Sequence, residues 1–414
     1  HFYEIDIEPN FRIGDEGELK LLREDVIKAV LASHYEEPDE AFSDFMEGYA
    51  TGKSDDAVVQ MILGLYHFSR SYPWPKQWLR DCKRSYEIST VEELNDAAWM
   101  QSTVKNICRL LGDIYQSTEL ALELAQDADG PNMYGAALES DLELYERLVD
   151  KKSFSELYTG LKNISYAKLA SSRGYTGSIE KLERVKAIRD EAKAVVKKLV
   201  SQYCFMSPEL MVEQLQKTAP MVEVLVALTE EFAEAYANAK KKKNLVDFHD
   251  VEHFALEILV DEATGKAKKT AEEFQNTFVE IMIDEYQDSN NVQEEILTSI
   301  SRMKQGENNI FMVGDVKQSI YRFRLARPEL FMEKYDGYQT EDSKTQKIDL
   351  HQNFRSRNEV LEASNDIFYR IMGKDLGNVV YDDLAALYPG ASYPKVENAK
   401  AELLLLDSND ELLE

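Results

Sequence analysis

Three short apolar runs in the last third of this 414-residue chain each end on polar residues suited to handling phosphate groups. Ile281-Met282-Ile283 leads into Asp284-Glu285-Tyr286-Gln287-Asp288, and Phe311-Met312-Val313 into Gly314-Asp315-Val316-Lys317-Gln318-Ser319. Ile348-Asp349-Leu350 leads into His351-Gln352-Asn353-Phe354-Arg355-Ser356-Arg357. Adjacent carboxylates after a strand suit metal-dependent phosphoryl transfer: one holds Mg²⁺, usually through water, and the next orients or deprotonates the attacking water. Acid pairs also end strands simply as solvated groups. Gly314 permits a sharp turn, and Gln318 is a neutral group able to sense a γ-phosphate by hydrogen bonding. An ordinary strand-to-helix turn would read the same way. Phe354 could stack on a base, and Arg355 could neutralise charge on a transferred phosphoryl group. Either arginine of that run could instead be a surface residue. Between these runs, Ile320-Tyr321-Arg322-Phe323-Arg324 alternates ring faces with cations, a pattern that grips single strands without reading sequence. A half-buried element edge shows the same alternation. Three such runs in order describe the nucleotide crevice of an open α/β sheet, with chemistry at the carboxyl ends of its strands.

The elements that must position these residues are mostly helical. From about Glu16 to Ala239 apolar residues recur at three- and four-residue spacing, as in Val104, Ile107, Cys108, Leu111, Ile114 and Tyr115. Pro, Gly and Ser break the pattern at Ser71-Tyr72-Pro73-Trp74-Pro75, Asp129-Gly130-Pro131-Asn132, Ser171-Ser172-Arg173-Gly174 and Ser207-Pro208. Ser207-Pro208 supplies an N-cap and a proline at the first helical position. After the lysines 240–243, Val246-Asp247-Phe248-His249-Asp250 leads into another helix, and Gly265-Lys266-Ala267-Lys268-Lys269 reads as a loop. A strand-rich block covers about Phe278 to Arg357, a helix Asn358 to Met372, and Ala401 to Asp407 reads as a first strand of another unit.

Hydrophobic content of 44% and charged content of 30% are those of a globular protein, and the length suits two or three domains. No run nears the roughly 18 apolar residues of a membrane span, and no secretory h-region opens the chain. Cys82, Cys108 and Cys204 are too few and too scattered for a disulfide framework or zinc site, which points to a reducing, cytoplasmic compartment. A net charge of −28 does not exclude nucleic acid, because a strand-tracking groove needs only local cations and aromatic faces. Gly52-Lys53-Ser54 lacks the glycine that a P-loop requires, since Glu47 stands there, and Asp81-Cys82-Lys83 continues a helix. The 240–243 lysines could touch phosphates, but a solvated helix end explains them more simply.

Asp284 to Asp288, then Gly314 to Arg324, then Gln352 to Ser356 resemble motifs II, III and IV of superfamily 1A helicases of the UvrD/Rep type. Within that group the chain is most similar to the AddA (RexA) family of helicase–nuclease subunits of bacterial AddAB recombination machines. Lys317, where UvrD-type enzymes usually carry Asp, supports that narrower likeness. So does the long acidic helical stretch containing Ser71 to Pro75, and Phe2 to Leu31, with Phe11-Arg12-Ile13-Gly14-Asp15, is similar to the segment just after motif Ib. The resemblance implies α/β architecture with a large all-α insertion. It implies helical subdomain 1B over 1–245 (with a lead-in from motor domain 1A), part of a RecA-like (P-loop NTPase) motor domain 1A over 246–372, and a linker into domain 2A over 373–414. It also implies that Asp284 holds Mg²⁺, Glu285 activates water, Gln318 couples the γ-phosphate of ATP to domain movement, Phe354 stacks near adenine and Arg355 is an arginine finger. Tyr321, Phe323 (Trp in many relatives) and Arg324 would contact single-stranded DNA, and Val246 to Val251 resembles a D-F-x-D-L element.

The implied partners are duplex DNA ends, single strands and an AddB/RexB-type subunit. The implied activity is ATP-dependent 3′→5′ unwinding for recombinational repair. Motifs I, Ia, V and VI and the nuclease domain are not among these residues, and the chain opens at His1 without methionine, as an excised piece would. We therefore expect this chain alone neither to hydrolyse ATP nor to unwind DNA. A DNA-stimulated ATPase abolished by Glu285→Gln would overturn that. A UvrD/Rep-type helicase without a nuclease, and a non-catalytic DNA-binding helical module, remain the alternatives.

Overall fold

A computed structural model of the chain describes residues 10–50, 52, 54–321, 323, 325–373, 379–394, 400–402 and 404. The elements in chain order begin with β1 (Arg12–Ile13), α1 (Glu16–Glu36), α2 (Glu40–Tyr49), α3 (Asp56–Ser69), α4 (Pro75–Arg84), α5 (Val91–Asp96) and α6 (Ala98–Gln126). They continue with α7 (Gly135–Val149), α8 (Phe154–Lys162), α9 (Ile179–Tyr203), α10 (Pro208–Lys242), β2 (Leu245–Val246), α11 (Phe248–Leu259), β3 (Val260–Asp261), β4 (Lys266–Ala267) and α12 (Lys269–Thr277). The last are β5 (Ile281–Ile283), α13 (Asn291–Ile300), β6 (Ile310–Met312), α14 (Pro328–Gly337), β7 (Gln352–Asn353), α15 (Asn358–Ile371) and β8 (Tyr388–Pro389). The molecule is mostly helical with small sheets. Its chain divides into two compact units: a helical unit of 20–66 and 76–239, and a strand-bearing unit of 1–19, 67–75 and 240–414.

In the helical unit, helix starts are written locally. Asp39, Thr90, Ser153 and Ser178 each accept a hydrogen bond from a backbone N–H in the first turn of the helix that follows, satisfying donors the helix cannot. Val104, Ile107, Leu111 and Ile114 of α6 form one buried stripe, packed with Tyr145, Leu148, Leu157, Ala192 and Val196 from α7, α8 and α9. Farther along α6, Ala121 and Ala125 meet Tyr134, Leu138, Val185 and Ile188. Small residues there let the helices approach closely. One charged pair sits inside. Arg189 donates through Nε and Nη2 to both oxygens of Asp141, the Nη2 contact being 3.1 Å, and Nη2 also donates to the Ala167 carbonyl.

In the strand-bearing unit, β1 pairs in parallel with β2, β5 with β6, and β7 with β8. The remaining pair, β3 and β4, is an antiparallel hairpin whose turn Gly265 has φ +65°, a conformation that favours glycine. The 265–269 stretch expected as a loop is therefore partly strand. Leu256, Leu259, Ala271 and Val292 form the local core, with Trp74 against it. Residues 67–75, expected within the helical region, belong here for that reason. Their polar groups point the same way: Arg70 pairs with Asp250 at 3.1 Å and its carbonyl accepts from His253 Nε2 at 3.0 Å. Lys240 is not a solvated helix end. It is buried, with Nζ donating to Asp247 at 2.7 Å and to Asp250. Those two aspartates also form the capping box of α11. The expected strand 401–407 falls largely outside the described residues.

Candidate active site

β5 and β6 run parallel in the register Met282 opposite Phe311, so the residues that follow both strands emerge on the same side. Asp284 and Glu285 follow β5 and are exposed. Asp284 Oδ1 accepts the Glu285 N–H at 2.9 Å. Glu285 has φ 50° and ψ 39°, left-handed backbone that costs a non-glycine residue on the order of 1–3 kcal/mol. Tyr286 and Gln287 then turn inward. The Tyr286 hydroxyl donates to Glu294, and burial first, then that carboxylate, push its ionisation far up. Lys334 lies 5.0 Å from the same ring and bonds Glu294 at 2.6 Å. The acidic turn is thus held from beneath by a phenol, a carboxylate and an ammonium.

After β6, Asp315 organises its own loop. Burial alone would raise its pKa, but hydrogen bonds from Lys317 and Gln318 outweigh that and hold it below the usual carboxylate range. Lys317 N and Nζ reach Oδ1 at 3.1 and 2.9 Å, and Gln318 Nε2 reaches Oδ2 at 3.0 Å. Gln318 then lines a cleft of about 490 Å³ with Gln352, Asn353, Phe354 and Arg355. The Asn353 Oδ1 accepts from the backbone N–H of Arg355 at 3.0 Å and of Ser356 at 2.8 Å, which fixes the turn that presents Phe354 and Arg355. Phe354 is 65% exposed, and Arg355 has no ion-pair partner among the described residues. Asp288 Oδ1 and Ser319 Oγ, beside these loops, are buried without a hydrogen-bond partner among those residues. Burial and the charge of Glu285 raise the Asp288 pKa.

Three polar loops beside parallel strands, carrying an acid pair, a glutamine and an arginine, are the arrangement against which known proteins can be compared. Residues 1–339 match the family model described as UvrD/REP helicase N-terminal domain. The chain belongs to that family. Among curated proteins it is 42% identical, over 99% of its length, to an ATP-dependent helicase/nuclease subunit of Lachnoclostridium phytofermentans, covering 31% of that relative. Proteins of the same name are 37% identical in Clostridium botulinum and 38% in Geobacillus thermodenitrificans, with 34% and 33% of the relative covered. The chain thus spans about a third of the length of the relatives it matches.

Gln318, inside the residues matched to that domain, and Phe354 and Arg355, which follow them, come together in one cleft. Asp284 and Glu285 stand on the loop of the neighbouring strand and do not line it. Tyr321 and Phe323 are exposed, with ring centroids 5.9 Å apart. Arg324 lies outside the described residues. The third apolar run differs from expectation. Strand pairing starts only at Gln352, and Ile348 and Leu350 are solvent-exposed with no strand alongside among the described residues. Sequence reasoning assigned no task to Gln287, although its burial makes it a hub of the site. Its contact with the backbone of Asp315, 28 residues on, leaves no local signal in the sequence. Among the described residues no helix is long and apolar enough to cross a membrane.

Proposed function

We propose that this chain supplies motor machinery to an ATP-dependent DNA helicase–nuclease subunit. That subunit would unwind duplex ends 3′→5′ for double-strand-break repair by homologous recombination, alongside an AddB/RexB-type partner. Its strands β5, β6 and β7 would belong to a RecA-like parallel sheet, with 246–372 as motor domain 1A, the helices before it as subdomain 1B and 373–414 leading to domain 2A. The observation that carries the reading is the single cleft lined by Gln318, Phe354 and Arg355, next to the strand whose loop bears Asp284 and Glu285.

Each side chain then has a task that fits its surroundings. The Glu285 carboxylate takes a proton from the attacking water and orients it. Gln318 bonds the γ-phosphate of ATP, Phe354 stacks on adenine, and the Arg355 guanidinium neutralises charge spreading over the transferred phosphoryl oxygens. Tyr321 and Phe323, with Arg324, hold single-stranded DNA by stacking and charge. Mg²⁺ fits Asp284, a carboxylate with one oxygen engaged by backbone and the other open, because Mg²⁺ keeps several waters and takes few protein ligands. Bound there, it would supply positive charge to the phosphates. No group of three or more His, Cys, Asp or Glu among the described residues forms an all-protein cage, which that coordination does not need.

The test is DNA-stimulated ATP hydrolysis by the full-length protein. Glu285→Gln should lower kcat by about 10²–10⁴, the range of a lost general base, without loss of fold. Unchanged turnover in that variant would remove Glu285 from the chemistry.

A further inference from the structure

Gln287 is 1% exposed and lies in the short turn Tyr286–Asp288. Its amide makes three contacts. Nε2 donates to Glu285 Oε2 at 2.6 Å and approaches Asp288 Oδ2 at 3.4 Å, while Oε1 accepts the Asp315 N–H at 3.0 Å. The orientation of the amide follows from its partners, since carboxylates only accept and a backbone N–H only donates. We infer that Gln287 is a positioning residue that ties the Glu285 carboxylate to the backbone of the Gly314–Asp315 turn, so that the water-activating group and the loop bearing Gln318 move as one.

Two features of the backbone make that link possible. The left-handed conformation of Glu285 turns the chain so that Gln287 faces back toward it. Gly314 leaves room on the other side: a Cβ there would stand 2.6 Å from Gln287 Oε1 and 3.2 Å from Gln287 N. Any larger residue would push the amide off the Asp315 N–H. From Asp315 the connection continues through its carboxylate to Gln318 Nε2 at 3.0 Å, and Gln318 lines the cleft with Arg355. Three hydrogen bonds in series therefore join Glu285 to Gln318. A shift of Gln318 on gaining or losing a phosphate would be felt at Glu285 through a buried amide. Buried groups of this kind hold their partners because leaving one unmade is costly.

The catalytic meaning of this link rests on the assignment of Glu285 proposed above. The link itself does not, so two readouts separate them. In the full-length protein, Gln287→Leu removes both halves of the contact. Gln287→Glu keeps an acceptor for the Asp315 N–H and sets a second carboxylate against Glu285. Both variants should lower kcat about tenfold or more and keep KM for ATP within roughly twofold, because the carboxylate loses the donor that positions it while ground-state binding is untouched. Hydrogen exchange at the Asp315 amide should accelerate at least tenfold in Gln287→Leu and stay slow in Gln287→Glu. A folded Gln287→Leu with unchanged Asp315 exchange, or with wild-type kcat where Glu285→Gln loses turnover, overturns the inference. If Glu285→Gln retains full turnover while Asp315 exchange responds as described, the assignment of Glu285 fails and the structural link stands.

Discussion

Ile107, Leu111, Tyr145 and Leu157 of the helical unit are wholly shut off from solvent, in a core shared by α6, α7, α8 and α9. In the strand-bearing unit, Met282 and Phe311 sit opposite each other in register, yet are 72% and 49% exposed. At about 25 cal/mol per Å² of apolar surface removed from water, the first arrangement stabilises its unit through packing. The second keeps its polar loops in order mainly through directed hydrogen bonds: Asn353 under Phe354 and Arg355, Asp315 under Gln318, Gln287 between Glu285 and Asp315. One unit invests in burial and the other in orientation. Substitutions should therefore separate cleanly, with the helical unit answering in stability and the strand-bearing unit in turnover.

The largest effect expected is on turnover. Arg355→Ala should lower kcat of the full-length protein by about 10³ or more, the scale of a lost arginine finger, with the melting temperature unchanged. Steady-state ATP hydrolysis and a thermal scan check both halves. A large fall in melting temperature with a small fall in kcat would mean that the strand-bearing unit also depends on this residue for packing, and the contrast would fail.

The mirror experiment lies in the helical unit. Arg189 and Asp141 are 2% and 0% exposed and bonded at two points. Arg189→Met should destabilise the unit by roughly 3–5 kcal/mol, because it leaves a buried carboxylate unpaired. Adding Asp141→Leu should restore most of that, since a buried pair replaced by apolar residues of similar size is often neutral. Urea denaturation reads both. A single variant as stable as the parent would show that water reaches this pair and that the core is less closed than its packing indicates.

These residues also show what a sequence carries and what it hides. The stripe Val104, Ile107, Leu111, Ile114, the cap at Ser207-Pro208 and strands β5 and β6 with polar carboxyl ends are all local patterns. Each is visible because neighbours along the chain set it. Arg70 with Asp250 is not visible, as its partner is 180 positions away, nor is the burial of Lys240 by two aspartates of the next helix. A lysine run reads as solvated until its counter-ions are found. The site divides the same way. Gln318, Phe354 and Arg355 can be singled out by type and order, while the cleft they share appears only on folding. The role of Gln287 emerges only when Asp315, 28 residues on, is folded against it.

In the strand-bearing unit, His253 makes part of the stability depend on pH. Burial, then the nearby Arg70 charge, depress the His253 pKa from 6.5 to about 4, and its Nε2–H donates to the Arg70 carbonyl. The folded state therefore holds a neutral imidazole, while the unfolded chain takes up a proton below pH 6.5. Stability is unaffected above that value and is lost as pH falls from about 6.5 to about 4, by at most roughly 3 kcal/mol. Urea titrations of the wild type and of His253→Gln across that window should show a shallower slope in the variant. Equal slopes across that window would show that His253 carries none of the acid sensitivity.

The smallest effect tests the proposed grip on nucleic acid. Phe323 is 72% exposed beside Tyr321, and a base stacked on an aromatic side chain contributes about 1–3 kcal/mol. If the strand-bearing unit supplies the grip, Phe323→Ala should weaken binding of a forked DNA by roughly fivefold or more in a titration at fixed salt. Its dependence on salt should stay nearly the same, because no cation is removed. A binding curve identical to wild type would move the grip to the helical unit, whose surface lysines would then have to carry it through charge. In that case the salt slope, rather than any aromatic substitution, would report the contact, and the division between a unit that packs and a unit that acts would no longer hold.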